Sequence, residues 1–438
     1  MACNHYSENF AQIRSELIGG SFPWLSAVRQ NALANFIERG IPTRHDEHWK
    51  YTNPGFLEQE TFAWARQVSS SVETQLGQYQ QANFPGHRLV FVNGHFSARL
   101  STFGNLQDKI QLLPLSTALI AHADKLKPYL EQQLTAADNL FAHLNTAFIS
   151  DGLFLNVAKN VVLEQPIHLL FLTVAGETAL MSHPRNVFIL EENAQAIIFE
   201  EHRDISSSKV ISPSYHKNIA TQICLNSGAQ LDYYKLQNEG INGYHQAITQ
   251  VQQLADSQFF SHSFSLGAKW ARDDLTVGLD AKGACCQLNG LYLSAAAQHV
   301  DHHTRIDHHS AETRSEEYYK GVLADQATAV FNGKVLVHPQ AQKSKSRQSN
   351  KNLLLSAKAQ INTKPELEIY ADDVQCAHGA TTGQVDELAL FYLRSRGIDE
   401  ITAGKLLVHA FVQEIFDKMR HSEIAGYVQQ TMTQWGDL

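Results

Sequence analysis

A mainly β chain with helical ends is the fold class this sequence predicts, and three observations predict it. From Gly152 to about Val374, short apolar segments recur at intervals of about ten to twenty residues, with Asn, Gly, Asp and Ser between them. Before Gly152 the pattern is mixed but mostly helical, and after Gly383 apolar residues return at spacings of three and four. Small and amide residues recur between the strand segments, and Asn350-Lys351-Asn352-Leu353-Leu354-Leu355-Ser356 reads as one rung entering the next. So long a series of short strands suits a pair of β-sandwiches, a barrel or a β-solenoid. The last two features lean toward the solenoid, although no hexapeptide repeat is present.

In chain order, Ile13, Leu17 and Ile18, then Leu25, Val28, Leu33, Phe36 and Ile37, mark helical faces. Ser21 and Pro23 give a helix start, and Gly40 with Pro42 a stop. The polar and aromatic stretch 40–52 reads as a docked loop anchored by Trp49 and Tyr51. His45, Asp46, Glu47 and His48 lack the His-Glu-x-x-His spacing of a metalloprotease. Residues 57–80 look helical, Arg88 to Leu100 a strand pair around Asn93-Gly94, and Leu112 to Phe148 helical again. The strand series includes Leu153–Val157, Ile167–Leu172, Asn186–Leu190, Ala196–Glu200, Ala220–Leu225, Gln230–Tyr234, His262–Leu266, Thr276–Leu279 and Cys286–Leu293. Near the end, Leu388, Phe391 and Tyr392 share a helical face. Asp399-Glu400 open a second helix striped by Leu407, Ala410, Phe411, Ile415 and Met419, able to bury against its own protein or to meet a partner. The expected division is 1–151 mostly helical, 152–377 β, and 378–438 helical.

Composition excludes several classes. Hydrophobic residues make up 43% and charged residues 18%, which supports a large core, and the net charge of −9 argues against a nucleic-acid binder. Cys3, Cys224, Cys285, Cys286 and Cys376 are odd in number and scattered, which fits a reducing cytoplasm better than a disulfide framework. No signal peptide and no membrane-length apolar run is expected. Gly404-Lys405 and Gly333-Lys334 lack the Ser or Thr of a phosphate loop, so no nucleotide hydrolysis is expected of this chain.

Cys376 and His378 stand two residues apart where the β pattern ends. In an extended strand both side chains face the same way, and a thiolate with an imidazole suits iron, copper or zinc. Two donors do not complete a site, so others must come from elsewhere. His299, His302, His303, His308 and His309, with Asp301 and Asp307, form the densest cluster of metal-ligating types. Strand alternation would send His303 and His309 to one face and His302 and His308 to the other, which works against a metal store. Cys285 and Cys286 face opposite ways in a strand, and Cys224 reads as a small buried hydrophobe. Glu191-Glu192 and Glu200-Glu201 read as surface carboxylates at turns. The contrasting function is a β-helix polysaccharide lyase or hydrolase with Glu200 or Glu201 as general acid or base.

A resemblance is carried by Tyr319-Lys320-Gly321-Val322-Leu323, Ala329-Val330-Phe331-Asn332-Gly333-Lys334, Gln348 to Ser356, Thr363 to Val374, Cys376-Ala377-His378-Gly379-Ala380-Thr381 and Phe391 to Ile398, and by Gly40 to Thr43 and Glu47 to Thr52. These stretches resemble the SufB/SufD family of SUF iron–sulfur cluster assembly. The Cys-x-His-Gly-Ala-Thr form and the length favour its SufD branch over SufB. The resemblance implies a right-handed parallel β-helix between helical termini and a non-enzymatic scaffold subunit. It implies pairing with SufB through β-helix edges, and docking of the ATPase SufC on the C-terminal helices around Lys405, Leu406, Leu407, Ala410 and Phe411. It places Cys376 and His378 at a shared site for a nascent Fe–S cluster or iron, with the histidine the stronger assignment. It further implies reduced flavin in the complex, for which no residue here marks a site, and a possible homodimer when the chain is alone. The doublets His302-His303 and His308-His309 depart from relatives with single histidines, and take no role from the family.

Overall fold

In a computed structural model, described over residues 4–77, 86–104, 109–132, 134, 139–205 and 213–433, the chain winds between two long sheets. The first sheet stacks Leu153–Val157, Arg185–Leu190, Tyr215–Leu225, Gly243–Gln253, Trp270–Leu279, His299–His308, Thr328–Val337 and Gln360–Ile369. The second stacks Ile167–Thr173, Gln195–Asp204, Gln230–Asn238, Gln258–Ser265, Cys285–Ser294, Arg314–Leu323, Lys345–Leu354 and Gln375–Gly383. Sequence neighbours alternate between sheets, and neighbours within each of these stacks are parallel. The result is a parallel β-solenoid of eight coils, the architecture toward which the sequence pattern leaned.

The corners explain the small and amide residues between strands. Asn193, Asp256, Glu312 and Lys343 have positive φ, and Gly228 and Gly283 take the same place in alternate coils. Each is followed by a small buried residue: Ala194, Ala229, Ser257, Ala284, Thr313 and Ser344. A left-handed residue turns the chain, and only a small side chain fits the inside of the bend.

Inside, each coil must fit those above and below it. Tyr319 pairs with Gly290, and Tyr292 with Gly321, so each ring lies over a glycine of the adjoining coil. A Cβ on Gly321 would come 2.0 Å from Tyr292 Cε2, and one on Gly290 2.1 Å from Tyr319 Cε1.

Helical layers cover the outer faces. Phe36, Trp49, Phe56, Phe141 and Phe148 pack with Ala220, Tyr244, Ile248 and Trp270 of the first sheet. On the second sheet, Val412, Ile415, Phe416, Ile424 and Val428 pack with Phe199, Tyr234, Phe264, Leu291 and Tyr318. The helix Pro23–Arg39 starts at its proline and stops at Gly40, and Asp399 caps Glu400–Phe416 by accepting from Thr402 N. The hairpin around Asn93-Gly94 pairs His87–Val92 with His95–Phe96.

Two helical expectations are corrected in part. Within 57–77 the helices are only Phe56–Gln59 and Ser70–Leu76, separated by a short strand, Ala63–Trp64, that pairs with Leu180–Ser182; residues 78–80 lie outside the described residues. The supposed helical run from Leu112 begins as a strand, Ile110–Pro114, whose alternate residues Ile110, Leu112 and Pro114 are buried. It runs antiparallel to Leu153–Val157 and closes that end of the first sheet. At the other end the last strand continues to Gly383, and helix resumes at Glu387.

Gly321→Ala is expected to destabilise the protein by about 1–3 kcal/mol through overpacking against Tyr292. Gly379→Ala, with nothing within 4 Å of the added Cβ, serves as the neutral control. Urea unfolding midpoints of the two variants check this.

Candidate site at the open end of the solenoid

The last two strands, Gln360–Ile369 and Gln375–Gly383, each have a strand neighbour in their own sheet on one side only among the described residues. Their inward side chains therefore form an uncovered end. Cys376 pairs with Ser346 and His378 with Gln348, both buried interior positions, so thiol and imidazole share the inward face as their spacing predicted. Cys376 is half-buried against the core and His378 is exposed. Burial pushes the Cys376 thiol up, while the backbone beside Ser346 pulls it down. A groove of about 500 Å³ opens beside Cys376, with Cys285, Arg314, Lys345 and Arg347 along it.

The end offers one sulfur and one nitrogen donor. Among the described residues, no third His, Cys, Asp or Glu completes a metal-sized group with them. Beneath His378 the same register column continues through Gln348 to Glu317. Gln348 Nε2 donates to Glu317 Oε2 at 2.6 Å, and burial pushes the Glu317 carboxyl up to about 7. Sequence reading passed over Glu317; the signal was the buried column that strand register alone defines.

The C-terminal positions divide. Lys405, Leu406 and Ala410 are exposed and Leu407 is half-buried. Phe411 is docked instead, its carbonyl accepting from Lys320 Nζ at 2.5 Å and its ring under the same ammonium. A larger apolar surface lies on the preceding helix, Glu387–Ser395, which buries none of its residues. Leu388 is 80% exposed and Phe391 69%, with Tyr392 and Ile401 beside them in the exposed set.

The histidine cluster divides between two faces, as strand alternation predicts. His302 and His308 point inward, bonded to Ser265 and to Thr313 and Ser315, whereas His303 meets Asp301 outside and His309 stacks on His338. Cys286 is buried while its neighbour Cys285 is partly open, as alternation requires, and Cys224 is half-buried. The N-terminal loop is anchored by Trp49, with the Arg272 guanidinium 4.0 Å from its ring centre, and by Thr52, whose hydroxyl donates to Asp301. Tyr51 is exposed, its ring beside the Lys50 ammonium of the same loop, which corrects that expectation.

Glu200 and Glu201 are fully buried rather than at the surface. They face opposite sides: Glu200 meets His202 and Tyr233 inside, and Glu201 meets His168 and Tyr427 outside. Two carboxylates flanking one sugar cannot be built from them. The turn pair Glu191-Glu192 lies at the surface, as expected.

Sequence comparison matches residues 171–411 to the SUF system FeS cluster assembly SufBD core domain, and residues 2–169 to the SufBD protein N-terminal region. The chain belongs to the SufBD family. It is 35% identical over 408 residues to an iron–sulfur cluster assembly SufBD family protein of Synechocystis, covering 92% of this chain and 90% of that one. It is 29% identical over 422 residues to the iron–sulfur cluster assembly protein SufD of Escherichia coli, covering 94% and 92%. The Bacillus subtilis SufD is 26% identical over 406 residues, covering 90% of each chain. Across this SufBD chain no helix among the described residues is long and apolar enough to cross a membrane.

Because Glu317 binds its proton more tightly when folded, its contribution is fully present below the usual glutamate range and is lost as pH rises to about 7. Glu317→Gln should therefore gain stability relative to the parent as pH rises from about 5 to about 8, by on the order of 2–3 kcal/mol. Denaturation midpoints of both proteins across that range measure the difference.

Proposed function

We propose that this chain is a non-catalytic, SufD-type subunit of an iron–sulfur assembly scaffold, and that its open solenoid end joins a SufB-like partner to build a nascent cluster. The observation that carries this reading is the last strand, which presents a sulfur and a nitrogen donor inward on an end that no strand among the described residues covers. A parallel strand with an unpaired edge is a template for strand addition. A second solenoid stacked there would continue the interior column and bring further donors to Cys376 and His378. The cluster is cargo: binding it would deprotonate the thiol that burial keeps protonated in the lone chain. Without that partner, the same edge is open to a second copy of this chain.

The C-terminal helices suit a different partner. Leu388, Phe391, Tyr392, Ile401 and Leu406 are large apolar groups left in solvent, with Lys405 beside them. A SufC-like ATPase docked on them would supply the nucleotide hydrolysis for which this chain carries no phosphate loop.

With SufB-like and SufC-like subunits co-expressed, His378→Ala should lower the cluster yield of the complex at least several-fold, read by visible absorption and iron and sulfide content, and Cys376→Ser less so. Complex formation should persist. An unchanged yield for both variants would falsify the site assignment. Separately, Phe391→Asp with Leu406→Asp should release the ATPase on size exclusion while the SufB-like subunit stays bound; retention of the ATPase would move its dock elsewhere.

A further inference from the structure

The solenoid interior holds a second group of donors that neither the open end nor the helical layers use. His202 lies on Gln195–Asp204, His245 on Gly243–Gln253, and Glu239 just beyond Gln230–Asn238. All three are buried, and one ligand atom from each lies within 4.8 Å of the others. The two rings meet edge to face with centroids 4.7 Å apart.

The hydrogen bonds around His202 give the group its direction. Its Nε2 is 2.8 Å from Glu200 Oε1, so that nitrogen carries the proton and donates it to the carboxylate. The other Glu200 oxygen accepts from Tyr233 at 2.8 Å, and Phe171 stacks on the imidazole at 5.1 Å. The ring is thereby fixed in tautomer and plane, and its Nδ1 is left sealed from solvent with no hydrogen-bond partner among the described residues. Burying such an orphan is unfavourable unless something uses the lone pair. Glu239 Oε1 is held by Lys217 Nζ at 2.7 Å, and Oε2 lies 2.6 Å from His245 Nδ1.

An imidazole oriented by an outer carboxylate, with a second imidazole and a carboxylate grouped beside it, is the arrangement of metal-bound histidine. Two imidazoles and one carboxylate suit ferrous iron or zinc. Charge agrees. Around the three donors stand the carboxylates of Glu200, Glu239 and Asp273 and two ammonium groups, Lys217 on Glu239 and Lys235 on Asp273, while Glu200 meets the His202 imidazole.

We propose that His202, Glu239 and His245 form an internal site for one divalent first-row transition-metal ion, distinct from the donors at the open end. Lys217 stays on Glu239 Oε1 as an outer partner, and Oε2 with the two imidazoles takes the metal. The set contains no thiolate, so its spectrum differs from that of any metal on Cys376.

The test uses the full chain carrying Cys376→Ser and His378→Ala, produced in cobalt-supplemented medium. Close to one equivalent of cobalt is expected after desalting, with ligand-field bands and no thiolate charge-transfer band. Adding Glu239→Gln or His245→Gln should cut retained cobalt to about a tenth or less, with far-UV circular dichroism unchanged. Absence of cobalt in the parent, or full retention in both folded variants, overturns the site. Should neither variant fold, the parent decides through its thermal midpoint: cobalt loading must raise it over the metal-free chain, and no rise overturns the proposal. Because the open-end donors are already removed, the result is independent of the proposed cluster site.

Discussion

Everything in this molecule depends on stacking parallel strands at one spacing. Neighbouring strands lie about 4.8 Å apart, so each inward side chain sits directly between two others and cannot be chosen alone. The tyrosines at 292 and 319 are possible only because 321 and 290 are glycines. The corners obey the same rule, with a left-handed residue and a small buried one repeated coil after coil. Helical layers are secondary to this: they cover the outward faces of a body whose shape register has already set.

The same constraint makes the interior chemically unusual. A column that must be filled at every level has taken in carboxylates, ammonium groups and imidazoles as well as aliphatic side chains. Glu200, Lys217, Lys235, Glu239 and Asp273 are all buried, and each is matched to a partner of opposite charge or to an imidazole. Isolated buried charges would cost several kcal/mol each, so these partners are required for the coils to close. Glu317 lacks such a cation, meets Gln348 instead, and its carboxyl is accordingly pushed upward.

Much of the architecture was legible in the sequence because its signals are local. Strand segments, the capped helix at Asp399 and the turn at Asn93-Gly94 each depend on residues a few positions apart. The shared face of Cys376 and His378 followed from alternation alone. What stayed hidden is set by register between distant segments. Leu112 and its neighbours look helical until Leu153–Val157 is there to pair with them, and Glu200-Glu201 look like surface acids until their partners at 168, 233 and 427 arrive. His202, Glu239 and His245 span more than forty residues, and no spacing rule joins them. Tyr51 misled because an aromatic in a loop suggests an anchor, whereas Thr52 reaches the buried Asp301.

The C-terminal helices do more than cover a face. Tyr427 bonds Glu201, His421 meets Asp232 at 2.7 Å, Lys418 meets Glu316 at 2.8 Å, and Lys320 reaches the Phe411 carbonyl. Those contacts lie on strands from three separate levels of the second sheet, so the helices lace coils that otherwise touch only their immediate neighbours. A bare solenoid is quasi-one-dimensional and can unravel from an uncovered end one level at a time. Here the lacing ties those levels to a common brace, so a pull on the brace is shared among them and the stack responds as one mechanical unit.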